Sequence, residues 1–120
     1  MEIITDIDAI PRLQNPVVTV GAFDGIHLGH RQIFETVKEY SRKINGVSVA
    51  VTFDPHPQMV LHPNSDFFQI FPLEEKIKLI KAENIDYLII THFTKEFSQL
   101  SSERFLKDII IGKIGAKAIV

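Results

Sequence analysis

Two histidines three residues apart, His27 and His30, close the stretch "GAFDGIHLGH", which runs from Gly21 to His30 and also holds three glycines and Asp24. A helix N-terminus leaves backbone N–H groups unpaired and carries partial positive charge, so it attracts phosphate. If a helix begins near Leu28 or Gly29, both histidines can point at one anion, and Gly25 and Gly29 remove Cβ atoms where a ligand must approach the backbone. The stretch is neither the G-x-x-x-x-G-K-[ST] nor the G-x-G-x-x-G phosphate loop. A zinc reading needs a third ligand, and the other histidines, His56, His62 and His92, fall in separate loops. A plainer alternative is a turn whose histidines cap the helix.

Such residues need elements to hold them. Val17, Val18 and Val20 give a short buried strand over 17–21, with Pro16 before it. Ile33, Val37, Tyr40 and Ile44 recur at helical spacing, so a helix spans about 29–44 and stops at Asn45-Gly46 in the left-handed manner of helix ends. A second strand covers 47–53 and breaks at Asp54-Pro55-His56-Pro57, a stiff extended turn. Residues 58–71 read as loop, 73–81 as helix and 86–91 as a third strand. A further loop precedes a helix over about 102–114, which Ser101 can cap and Gly115 closes, and "AKAIV" opens a fourth strand. Strands alternating with helices imply right-handed crossovers and an open parallel α/β sheet, which binds ligands beyond its carboxyl edge. "GAFDGIHLGH" sits at that edge.

Composition narrows the function classes. The 120 residues amount to one small domain, 45% hydrophobic and 23% charged, with a net charge of −2. No polybasic footprint argues for nucleic acid or an anionic membrane surface. The absence of cysteine excludes disulfides, thiolate metal sites and cysteine nucleophiles. No run approaches the roughly 18 apolar residues of a membrane span, and the N-terminus does not read as a signal peptide. The cytoplasm is the expected location.

"GAFDGIHLGH" is similar to the H-x-G-H signature of the nucleotidyltransferase superfamily. In the form G-x-F-D-G-x-H-x-G-H it resembles the N-terminal module of prokaryotic bifunctional riboflavin kinase/FAD synthetases. "TFDPHP", Thr52 to Pro57, resembles that family's second block, and the segment from Leu73 to Val120, with "FSQLSSERF" inside it, resembles the third. The resemblance implies a Rossmann-like sheet of the 3-2-1-4-5 type, with the strand at 17–21 central and beside the fourth. It implies the reaction FMN + ATP → FAD + pyrophosphate, with Mg2+. His27 and His30 would then contact the phosphates and stabilise charge on the transferring group. Gly29 would let adenosine lie against the helix start, and Gly21, Ala22 and Phe23 would shape the nucleotide pocket with backbone groups. Asp24 would hold the loop as an Asx turn does or, as the alternative, ligate metal. Pro55, His56 and Pro57 would line the flavin side. Phe97, Leu100 and Phe105 could offer an apolar wall to the isoalloxazine, with ordinary core packing as the competing role.

The chain also departs from that pattern. The family continues with a G-x-[DN]-F-x-F-G block, an I-S-S-T-x-x-R-like block and a riboflavin kinase barrel, none of which is in these 120 residues; "IFP", Ile70 to Pro72, replaces a Leu-Thr sequence. Residues 1–120 are therefore expected to be the first part of an adenylyltransferase domain from a longer enzyme, inactive by itself and able to self-associate through an exposed sheet edge. Lys76, Lys78 and Lys81 are expected to face solvent, and Arg31 to point away from His30. Another H-x-G-H nucleotidyltransferase, or a non-catalytic nucleotide- or flavin-binding module, are the competing functions.

Overall fold

The computed structural model describes residues 1–24, 28–63 and 72–120, with the side chains at 28 and 29 also left undescribed. The strands are β1 (Glu2–Ile4), β2 (Val17–Val20), β3 (Ser48–Asp54), β4 (Tyr87–His92) and β5 (Ala118–Ile119). The helices are α1 (Leu28–Lys43), α2 (Pro57–Leu61), α3 (Leu73–Ala82), α4 (Lys95–Ser98) and α5 (Ser102–Arg104), the last running into a π-helical segment, Phe105–Ile114.

All strand pairs are parallel, in the order β1-β4-β3-β2-β5. β2 lies inside the sheet, with Val17–Val20 beside Ser48–Val51 and Val17–Val18 beside Ala118–Ile119. The four strands read from sequence thus stand in the expected third-second-first-fourth order. β1 is an addition at the outer edge: three residues are too few to show a period, and only Ile4 is buried.

Strand residues alternate between two cores, as a sheet covered on both faces requires. Val49, Val51 and Ile89 join Val18 against Ile109, Ile110 and Ile114 of the π-helical segment. Ala50, Leu88 and Ile90 face Phe34 of α1 and Ile80 of α3 on the other side.

Helix ends differ from expectation in detail. At the end of α1 the left-handed residue is Asn45, at φ 54°. Gly46 serves space instead: a Cβ there would lie 2.0 Å from the Asn15 carbonyl oxygen. Asn15 Nδ2 donates to the Ile44 carbonyl at 3.0 Å, so the loop before β2 satisfies the end of α1. Residues 57–61 are helical rather than loop, because His56 caps α2 and Pro57 occupies its first turn. α4 likewise stands inside an expected loop, capped by the Thr94 hydroxyl, which accepts from the Phe97 N–H at 3.0 Å. Ser101 caps α5 as expected. Beyond it the backbone takes wider i→i+5 turns, which keep Phe105, Ile109, Ile110 and Ile114 on the packed side and leave Leu106 and Ile111 exposed. Gly115, at φ 79°, closes the segment. No helix among the described residues is long and apolar enough to cross a membrane.

Candidate active site

The site is built where three strands run out. Gly21 ends β2 and donates its N–H to the Val51 carbonyl at 3.0 Å, while the Thr52 hydroxyl of β3 donates to the Ala22 carbonyl at 3.2 Å. The backbone then turns left-handed at Phe23, φ 51°, an uncommon conformation for a bulky residue. Packing holds it there. The Phe23 ring is buried, 5.2 Å from the Phe34 ring and edge-on to His30 at 5.6 Å. A Cβ on Gly21 would come 2.9 Å from that ring, so this glycine makes room for Phe23. His30 lies in the first turns of α1, half-buried. His27 and Gly25 lie outside the described residues.

Asp24 follows Phe23, and each of its carboxylate oxygens meets a side chain. Oδ2 stands 2.6 Å from His56 Nε2, and Oδ1 stands 3.2 Å from Lys76 Nζ. His56 Nδ1 accepts the Gln58 N–H at 3.1 Å, which assigns the ring proton to Nε2, aimed at Asp24. His56 therefore ties the loop after β3 to the loop after β2. The segment carrying it begins with a cis peptide bond between Asp54 and Pro55.

Lys76 departs from the solvent-facing position expected of it. It is 1% exposed, whereas Lys78 and Lys81 are exposed. The reason is helical spacing: Lys76 lies one turn before the buried Ile80 and shares its inward face, and Asp24 supplies the opposite charge. Arg31 does point away, toward Glu83 at 3.5 Å.

At the same carboxyl edge of the sheet lies an aromatic cavity of about 260 Å³. Phe53 at the end of β3, Phe93 just beyond β4, Phe97 of α4 and Phe105 of the π-helical segment surround it. Their ring centroids are 5.7–6.2 Å apart, each inclined to its neighbours as aromatic edges and faces prefer. Phe97, Leu100 and Phe105, expected as an apolar wall, are thus brought together. Phe53 and Phe93 were missed; their signal was an aromatic at the carboxyl end of each of two successive strands.

Among the described residues no group of three or more histidine, aspartate or glutamate side chains could hold a metal ion. The zinc alternative, as far as it drew on His30, His56, His62 and His92, finds no cluster.

The sequence profile of the FAD synthetase family matches residues 9–120. The chain belongs to that family. It is 37% identical, over its whole length, to the bifunctional riboflavin kinase/FMN adenylyltransferase of Buchnera aphidicola from Acyrthosiphon pisum, of which it spans 39%. It is also 37% identical over 80% of its length to the protein of that name from Bacillus subtilis, of which it spans 31%. The chain thus covers less than half of these FAD synthetase relatives. A crystal structure titled as a macrolide-efflux protein from Streptococcus pneumoniae superposes with a TM-score of 0.84 at 30% identity, covering 98% of this chain and 46% of that one.

Proposed function

We propose that this chain is the first part of an FMN adenylyltransferase domain, in a longer protein that also phosphorylates riboflavin. The observation that carries the reading is one edge of one sheet with two kinds of receptor: a helix start bearing His30, and an aromatic cavity of about 260 Å³. The first suits a polyphosphate and the second a flat, apolar ring system. Family membership over 9–120 supports the same pairing.

In this reading an oxygen of the FMN phosphate attacks the α-phosphorus of ATP. The new P–O bond makes FAD, and the bond to the β-phosphate breaks to release pyrophosphate. Such transfer needs positioning and neutralisation of charge rather than a protein nucleophile. His27 and His30 stabilise the transferring phosphoryl group. Gly25 and Gly29 let the nucleotide approach the start of α1, and Gly21, Ala22 and Phe23 shape its pocket through their backbone. Asp24 holds that loop through His56. Pro55 and Pro57 flank the flavin, while Phe53, Phe93, Phe97 and Phe105 pack against its rings.

Mg2+ belongs to the reaction that the family resemblance implies. The described residues offer it no cage, and both oxygens of Asp24 face side-chain partners. No step here is routed through the ion. The protein is read as cytoplasmic, with ATP and FMN as its small-molecule partners. Steady-state assay of the whole protein with FMN and ATP tests the reading. Release of FAD and pyrophosphate in equal amounts supports it; acceptance of a pantetheine or nicotinamide phosphate in place of FMN overturns it.

A further inference from the structure

The site contains a charged group that the proposed chemistry does not use. Lys76 Nζ is buried, with a side-chain exposure of 0%, 3.2 Å from Asp24 Oδ1. Neither atom has a hydrogen-bond partner among the described residues, so the contact is ionic rather than a well-aimed hydrogen bond. Burying an ammonium is expensive, and a carboxylate nearby offsets that cost only in part. Something at this position must need the charge.

The need is visible in what surrounds Asp24. It stands four residues before α1, whose N-terminus is suited to anions. A carboxylate there opposes the phosphates the edge would receive. His56 holds Asp24 by a hydrogen bond but brings no compensating charge in its Nε2–H form. Lys76 does bring it, from α3, and its burial keeps the ammonium on Asp24 rather than free to wander into solvent.

We propose that Lys76 is a positioning residue that cancels the charge of Asp24 and fixes it against the loop, so that this edge accepts a polyphosphate. The proposal rests on the nucleotide-binding part of the function proposed above. Lys76 does not touch substrate; it acts through Asp24.

The test compares ATP with adenosine, which lacks the phosphates, in the whole protein and in Lys76→Met, Asp24→Asn and the double variant. Calorimetry or competition gives the affinities, and thermal unfolding of the same four proteins gives stability. Lys76→Met should weaken ATP by about tenfold or more, the size of one uncompensated charge near a surface, and leave adenosine within about twofold. Adding Asp24→Asn should restore ATP binding toward wild type, and the double variant should melt higher than Lys76→Met. A Lys76→Met protein that fails to fold while the double variant folds is the same result read in stability.

Equal losses for ATP and adenosine overturn the proposal, since that is what loss of packing alone produces. A double variant no better than Lys76→Met in either measurement, or one that does not fold, overturns it too. If the wild-type protein binds no ATP, the nucleotide reading itself falls, which is a different outcome from a wild type that binds ATP and a Lys76→Met variant that binds it equally well.

Discussion

His30 is held by an edge-on aromatic contact with Phe23, and Phe23 is in turn held in a left-handed backbone by Phe34. Its place in the first turns of α1 is therefore set by packing as much as by its own helix. Replacing His30 with Ala should lower the rate of FAD formation about 10²–10³-fold, the loss of one positioned donor at developing charge, while FMN affinity stays nearly constant. An unchanged rate with a lower melting temperature would mean that His30 only caps the helix. Gly21→Ala bears on the same loop, because its Cβ would meet the Phe23 ring at 2.9 Å. That variant should lose activity out of proportion to stability, read as turnover against urea midpoint. The spacing of His27 and His30 points to an anion-binding role, which the His30→Ala assay tests. The burial of Lys76 was not legible in the sequence, since a lysine on an amphipathic helix is assigned to solvent by default, and only Asp24, 52 positions earlier in the chain, explains it.

Two glycines distinguish crowding from backbone strain at the level of elements. Gly46→Ala would drive a Cβ into the Asn15 carbonyl at 2.0 Å, where backbone meets backbone. It should cost at least the roughly 1–3 kcal/mol of an overpacked site. Gly115→Ala has nothing within 4 Å and pays only for its positive φ, about 1–2 kcal/mol. Urea unfolding should rank Gly46→Ala as the worse of the two, and the reverse order would contradict the packing described. The strands that pair in the interior were readable because apolar runs rich in valine, isoleucine and leucine fitted buried parallel strands. β1 and β5, with three and two residues, carry too little pattern to show a period, and of the two only the segment after Gly115 was read as a strand. The π-helical segment was read as α because its buried residues, four or five apart, satisfy either turn until the carbonyl partners are known. The aromatic cavity belongs to this scale as well, since four separate elements supply its phenylalanines. Phe97→Ala should weaken FMN by tenfold or so, in the range of about 1–3 kcal/mol for stacking on an aromatic, and leave ATP unaffected. Flavin fluorescence quenching measures it.

For the molecule as a whole, one sheet edge gathers the Gly21–Asp24 loop, the proline loop and the aromatic cavity within 120 residues. In the proposed reaction the described donors would stand on the side of α1 only, whereas phosphoryl transfer needs charge neutralised on more than one side. Residues 1–120 in isolation should therefore make no FAD. They should also self-associate through β5, an edge strand whose Ile119 is exposed, as is Val120 after it, with sedimentation velocity reading the oligomer. The central claim is adenylyl transfer to FMN, and the most direct measurement is FAD formed by the whole protein from FMN and ATP, followed by chromatography. FAD should form with one pyrophosphate released per FAD, and should be lost on His30→Ala. ATP turnover without FAD, or no product from FMN under conditions where the protein is folded and binds both substrates, would contradict it.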